Sequence, residues 1–322
     1  MLHNNYIREL KLNGKFIKSY NNEKLKNIIK KINENYINLL YEKEISNEVN
    51  ISNIPTFHLI LSGGGLKGYY LSGISHILYN SNIINKIKSI RGCSCGALGA
   101  VYIACNINIY KWTHSYYLVM EEIKKGKNII DSVYIVNDLL LPDNAHEICN
   151  EKNVEIIATK ITNYKFEQVV FSKYESKKHL LDCISASICI PFIIKNNFPY
   201  SIKIKNDYYI DGGFISNTPI KITNEHQLVI SNFLVEYPIL YTYTLTDPKI
   251  EKIIIKGLID CVDFFKNNKK INTINFHKNH NKKNNKLNLN SNNQLIINIG
   301  LGLLGLIYFS FIINKIIIKK YY

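Results

Sequence analysis

Apolar residues fall in short, separated runs through the middle of the chain, and most runs end on glycine or a polar cluster. TFHLIL, from Thr56 to Leu61, closes on Ser62-Gly63-Gly64-Gly65 and reads as a strand feeding a glycine loop. Tyr69 to Tyr79 then has a helical pattern. Lys86 to Ile90 is a second short strand, and Ala97 to Cys105, small and apolar, suits a helix. Further strands are predicted over Val154 to Ile161, Phe166 to Phe171 and Leu228 to Phe233. Strands alternating with helices predict an α/β domain on a mostly parallel central sheet.

The pattern changes toward both ends. Residues 1–50 form a polar, lysine-rich extension, in which Lys24 to Tyr41 carries apolar residues at the spacing of one amphipathic helix. The α/β domain is expected over 51–265. Residues 266–294 are rich in Asn and Lys and poor in apolar residues, the composition of a flexible basic linker. Leu295 to Ile313 then runs for 19 residues without a charge, close to the roughly 20 that a helix needs to cross a bilayer. This segment is predicted to be a transmembrane helix, with a short basic tail at 314–322. The first residues, MLHNNYIRELKLNGKF, contain no apolar stretch of the secretory kind. The expectation is therefore a single-pass protein held by its C-terminal helix, with the domain facing the cytosol. Basic residues flank both sides of the span, so the positive-inside rule leaves its orientation open.

Composition adds less. The apolar fraction of 46% is enough to build a core. The chain has 40 basic against 25 acidic residues, a net charge of +15. That excess suits attraction to phosphate, in nucleic acid or anionic lipid. Lys, Asn, Ile and Tyr are all over-used, however, and all four have A/T-rich codons, so coding bias explains much of it. No zinc-finger, RRM or basic-zipper pattern appears, and nucleic acid is not an expected partner. The 7 cysteines form no spaced framework, which points to a reducing compartment rather than a disulfide scaffold. Cys93 and Cys95 have no second pair at zinc spacing, so no metal is expected.

Chemistry concentrates in three places. Gly92-Cys93-Ser94-Cys95-Gly96 fits G-x-S-x-G, a motif that sets serine on a tight strand-to-helix turn where larger neighbours would clash. It follows a predicted strand and precedes a predicted helix, which is the context the motif needs. Upstream, SGGGLKGYYLSG meets G-x-G-x-x-G at Gly63, Gly65 and Gly68. A dinucleotide fingerprint would want an acidic residue about 20 positions on, and NSNIINKIKSIRG holds none. The other reading is an oxyanion loop, whose glycines let main-chain N–H groups approach a developing negative charge. Third, Asp211 in YYIDGGFISNTPI is either a turn aspartate or the base that a serine nucleophile requires.

In this order, the three segments resemble the patatin-like phospholipase family, from about Phe57 to Ile220. SGGGLKG is similar to the family's oxyanion loop, here Gly63, Gly64, Gly65, Leu66, Lys67 and Gly68, with Lys67 where arginine is usual. GCSCGA resembles its nucleophile elbow, with Ser94 flanked by Gly92, Cys93, Cys95 and Gly96. IDGGFISNTPI resembles its D-G-G segment, with Asp211 and Gly212, Gly213, Asn217 and Pro219. ISASICIPFII is similar to its Ala-Ser helix end and following proline, here Ala186, Ser187 and Pro191. The resemblance implies a three-layer α/β/α sandwich. It also implies a Ser94–Asp211 dyad without histidine, and hydrolysis of acyl lipids of the phospholipase A or lysophospholipase type, without cofactor or metal. Phospholipid and the membrane would be its partners. Triacylglycerol hydrolysis or acyl transfer would use the same residues, and a catalytically weak membrane adaptor would keep the same fold. A Ser94–Asp211–His226 triad satisfies the serine–acid–histidine order of other α/β hydrolases; the dyad is preferred because His226 follows Asp211 closely, in a polar turn.

Overall fold

The computed structural model describes residues 54–162, 165–191, 201–216, 218–219, 225–231, 250–267 and 274–275, with Asn27, Lys30, Lys31 and Glu34 in an N-terminal helix. Those four positions are helical and exposed, on the polar side of the amphipathic pattern. Asn217, the remainder of 1–50, most of 266–294 and the whole of 295–322 lie outside the described residues. Among the described residues no helix is long and apolar enough to cross a membrane.

Five parallel strands form the centre of the sheet, in the order β3 (Val154–Thr162), β2 (Ile87–Cys93), β1 (Phe57–Leu61), β7 (Gln227–Ile230) and β8 (Ile274–Asn275). Phe57 to Leu61 is an unbroken apolar run apart from His58, and all five residues are buried. Successive side chains of a strand point to opposite faces, so both faces of the sheet are covered. Helices α1 (Tyr70–Asn80), α2 (Cys95–Ala104), α3 (Ile109–Lys124), α4 (Ile129–Leu140), α5 (Ala145–Glu151), α6 (Lys177–Ser187) and α7 (Ile250–Asn267) supply the cover. α2 packs on β2 and β3, α6 on β3, and α1 against α7.

The central sheet is mostly parallel, as expected, but mixed at one side. β4 (Lys165–Phe171), β5 (Ile202–Ile204) and β6 (Asp207–Asp211) are antiparallel additions. Connection length is the cause. Two residues separate β3 from β4 and two separate β5 from β6, too few for the crossover that parallel pairing needs. Lys205, in the second of these turns, takes a left-handed φ of 55°.

Three helices between residues 109 and 151 went unread in the hydrophobic pattern. Local caps signal the first two: Asn108 accepts from the amides of Tyr110 and Lys111, and Asn128 from that of Asp131. Regular structure continues past the expected domain end at 265. α7 runs on to Asn267, and Ile274–Asn275 pairs with Leu228 and Val229 inside the stretch read as linker. An edge strand of two residues needs only main-chain pairing, which composition does not reveal.

Candidate active site

Ser94 sits where β2 hands over to α2. Its φ of 53° and ψ of −131° are unusual for a residue with a Cβ, a conformation that costs about 1–3 kcal/mol unless its surroundings enforce it. The surroundings do so by leaving no room. A Cβ on Gly92 would lie 2.1 Å from the Gly96 carbonyl oxygen, and one on Gly96 would lie 2.4 Å from that of Leu61. The two glycines of the motif are thus required by main-chain contact.

A further clamp acts on the serine's own amide. Ser94 N–H donates to Ser187 Oγ at 2.9 Å, and Ser187 donates in turn to the carbonyl of Ile157 on β3 at 2.6 Å. Ser187 is completely buried at the C-terminal end of α6. Sequence reading noticed this residue only as part of a family-like segment; its partners could not be foreseen from the chain.

Strand register brings Asp211 to the same place. β4 occupies one edge of β3 from Ile156 to Thr162. The other edge is shared end to end: Cys93 is the partner of Ile157, and Asp211 is the partner of Ala158. β2 runs with β3 and β6 runs against it, so their C-terminal ends meet, about one strand step of 3.3 Å apart along β3. A Cβ on Gly212 would lie 2.2 Å from the Ile157 carbonyl oxygen and 3.1 Å from Cys93 Cβ, which reflects how tightly these ends abut. The ion pair of Arg91 Nε with Glu155, at 2.5 Å between directly paired residues, helps hold the β2–β3 register.

The main chain of Asp211 is fixed by its N–H to the Cys189 carbonyl (2.8 Å) and by Thr159 Oγ1 donating to its carbonyl (3.0 Å). Oδ1 accepts from the Gly213 amide at 2.7 Å. Burial raises the carboxyl from 3.8 to about 6, while the Ser94 hydroxyl and the Gly213 amide act in the opposite direction. Oδ2 is buried without a formed hydrogen bond. Ser94 is thus near enough to favour the ionised carboxylate, yet the pair is not closed into a well-aligned bond in the resting protein. Catalytic hydrogen bonds often align only once substrate is bound.

The glycine loop lies over the elbow. Gly64 has φ 155° and Gly65 φ 57°, and Gly65–Tyr69 forms a short 3-10 turn leading into α1. A Cβ on Gly68 would meet Cys95 Cβ at 2.8 Å, so Cys95 packs directly beneath the loop. Lys67 N–H donates to the Gly64 carbonyl at 3.2 Å, which removes the Lys67 amide from the expected oxyanion donors. The amides of Gly64, Gly65 and Leu66 have no main-chain acceptor among the described residues. The Lys67 side chain is buried, and burial lowers its pKa. Cys93 is wholly buried and its thiol is pushed well up by that burial, as befits a packing residue. Pro219 is buried.

His226 is at the wrong end. Gln227 pairs with His58, which makes His226 level with Phe57, whereas Ser94 lies two residues past the Leu61–Gly92 pair. Six strand steps separate them, about 20 Å, beyond the reach of the two side chains. That end holds a different row, with His58 Nδ1 2.7 Å from Ser89 Oγ and His58 Nε2 bonded to Glu225. Ser89 is buried in mid-strand, away from any elbow, and the row staples β1, β2 and the start of β7. Among the described residues no group of three His, Cys, Asp or Glu could hold a metal ion.

A mixed α/β sheet with serine on a strained strand-to-helix turn, under a glycine loop, is the framework of an elbow-type hydrolase. A model of the patatin-like phospholipase family matches residues 59–223, about half of the chain and all four segments singled out above. The chain belongs to the patatin-like phospholipase family. Among solved structures, VipD from Legionella pneumophila is similar at 15% identity with a TM-score of 0.36, over 55% of this chain and 50% of VipD. The chain thus spans about half the length of that protein. No curated protein matches.

Proposed function

We propose that the protein hydrolyses acyl esters of phospholipids or lysophospholipids with a Ser94–Asp211 dyad. Membership of the patatin-like phospholipase family supports lipid acyl hydrolysis as its class of activity. The observation that carries the finer reading is the shared edge of β3, where β2 and β6 end against each other.

The chemistry follows from that arrangement. Asp211 Oδ2, lacking a partner, accepts the Ser94 proton as Oγ attacks the acyl carbonyl carbon. The carbonyl oxygen becomes an oxyanion, held by the amides of the Gly64–Leu66 turn; one such donor is worth roughly 3 kcal/mol. Collapse of the intermediate breaks the ester bond, and Asp211 returns the proton to the leaving alkoxide. Water then attacks the acyl-serine with Asp211 again as base, and fatty acid leaves. A carboxyl raised to about 6 is a better base than an ordinary one, and it is still ionised at neutral pH. No step calls on a metal or cofactor.

We also propose that the uncharged stretch 295–313 anchors the chain in a membrane, with the basic 266–294 segment favouring an anionic lipid face and the hydrolase on the cytosolic side. Incubation of the purified full chain with phospholipid vesicles tests the activity. Fatty acid release is expected from the wild type and not from Ser94→Ala; equal release by both would remove the proposal.

A further inference from the structure

Beyond the point where β2 ends, the sheet continues as an arm made of the far half of β3 with β4, β5 and β6. It projects past the elbow by about four strand steps, roughly 13 Å. Antiparallel sheets of this kind usually carry polar residues on their solvated face. This one sets large exposed apolar side chains there, on either side of Gln168. Ile161 is paired with Phe166 on one side and Tyr208 on the other, so all three share a face; Val170, paired with Ile157, lies on it too. Phe166 is 49% exposed, Tyr208 48%, Val170 41%, and Phe214, three residues past Asp211, 38%. The Phe166 and Phe214 ring centroids lie 4.9 Å apart. The opposite side of β4 packs normally, with Val169 and Phe171 against the core. Of the exposed large apolar residues in the described structure, only Leu139 and Ile259 lie elsewhere.

We infer that this face is the surface on which the protein meets an anionic lipid bilayer, seating the elbow against its substrate. The inference rests on the reading of the chain as a lipid hydrolase. Three observations favour lipid over another occupant. The patch joins the site directly through Phe214. Its residues are mainly aromatic, and one carries a cation: Lys203 Nζ stands 5.8 Å from the centre of the Tyr208 ring. Aromatic rings with a lysine lying over one of them suit the headgroup level of a membrane, where rings meet the acyl chains and an ammonium can reach phosphate. The chain as a whole carries +15, which draws it to an anionic surface.

Phe166→Trp in the full-length Ser94→Ala chain tests the contact without consuming lipid. The one native tryptophan, Trp112, is buried and stays silent. On adding phosphatidylcholine–phosphatidylserine vesicles with brominated acyl chains, the new tryptophan should shift to the blue and be quenched beyond the Ser94→Ala parent. No change would overturn the inference even if residues 295–313 hold the protein on the vesicle. A blue shift that grows with protein concentration before lipid is added would overturn it as well, in favour of a second copy on this face. In the active chain, Phe166→Asp with Tyr208→Asp should cut vesicle phospholipid hydrolysis at least about tenfold and leave a soluble short-chain ester unaffected; equal loss on both, or on neither, counts against the surface. If Ser94-dependent ester hydrolysis is absent while the tryptophan still responds, the catalytic reading fails and the surface stands.

Discussion

Replacing Asp211 by Asn should make the protein more stable and inactive, and the size of the gain should depend on pH. In the unfolded chain the carboxyl titrates near its ordinary 3.8; in the folded protein, burial lifts it to about 6. At roughly 1.4 kcal/mol per unit, holding the ionised form in its site costs about 3 kcal/mol. Below pH 4 both states are protonated and nothing is lost. Between about 4 and 6 the folded protein binds a proton that the unfolded chain has released, so stability falls as pH rises. Above 6 the whole cost is present. An asparagine is neutral throughout and keeps an oxygen for the Gly213 amide, which now donates to Oδ1. Asp211→Asn is therefore expected to gain up to about 3 kcal/mol at pH 8 and about half of that at pH 5. Urea unfolding followed through buried Trp112 reads the difference, while turnover falls by several orders of magnitude. A variant no more stable than wild type at pH 8, or one whose gain is the same at both pH values, would refute the claim that this carboxylate is held ionised against its surroundings.

Other expectations follow from the same geometry. Ser187→Ala leaves the Ser94 amide unpaired in a buried site and should cost about 1–3 kcal/mol of stability. It should also lower kcat on a soluble ester more than it raises KM; unchanged kcat would show that the clamp does not position the nucleophile. His226→Ala should retain full activity, since His226 lies at the far end of the sheet; a loss of orders of magnitude would restore the triad. With a soluble ester, kcat/KM should rise with pH through a midpoint near 6 and then level off, because Asp211 must be ionised to act as base. A midpoint near 4, or a fall over that range, would point to another group.

Much of this was legible in the chain because it depends on local sterics. Gly92 and Gly96 stand where a side chain would strike main chain, and TFHLIL, the two-residue elbow spacing and the glycine loop all act over a few residues. The pairing of Ser94 with Asp211, 117 positions apart, was legible only by resemblance. Nothing local says that β6 runs backwards along the edge of β3 that β2 has vacated, and only that register makes Asp211 a neighbour of Ser94. The same holds for Ser187, whose hydroxyl joins two strands and a helix. Asn108 and Asn128 show the opposite kind of miss: their capping signals were in the sequence, and after Asn108 three tyrosines, Tyr110, Tyr116 and Tyr117, blur the apolar stripe that periodicity looks for. The exposed face of Phe166 and Tyr208 was hidden for a related reason, since an apolar residue on a strand reads as core until its neighbours are known.

Reaction with a fluorophosphonate probe tests the central claim most directly, because it asks whether Ser94 is activated by Asp211 without reference to any lipid. The full chain should be labelled at Ser94, as mapped by peptide mass. Labelling should vanish in Ser94→Ala, fall at least a hundredfold in rate in folded Asp211→Asn, and persist in His226→Ala. A folded wild-type protein that resists the probe, or an Asp211→Asn variant labelled as fast as wild type, would contradict the dyad.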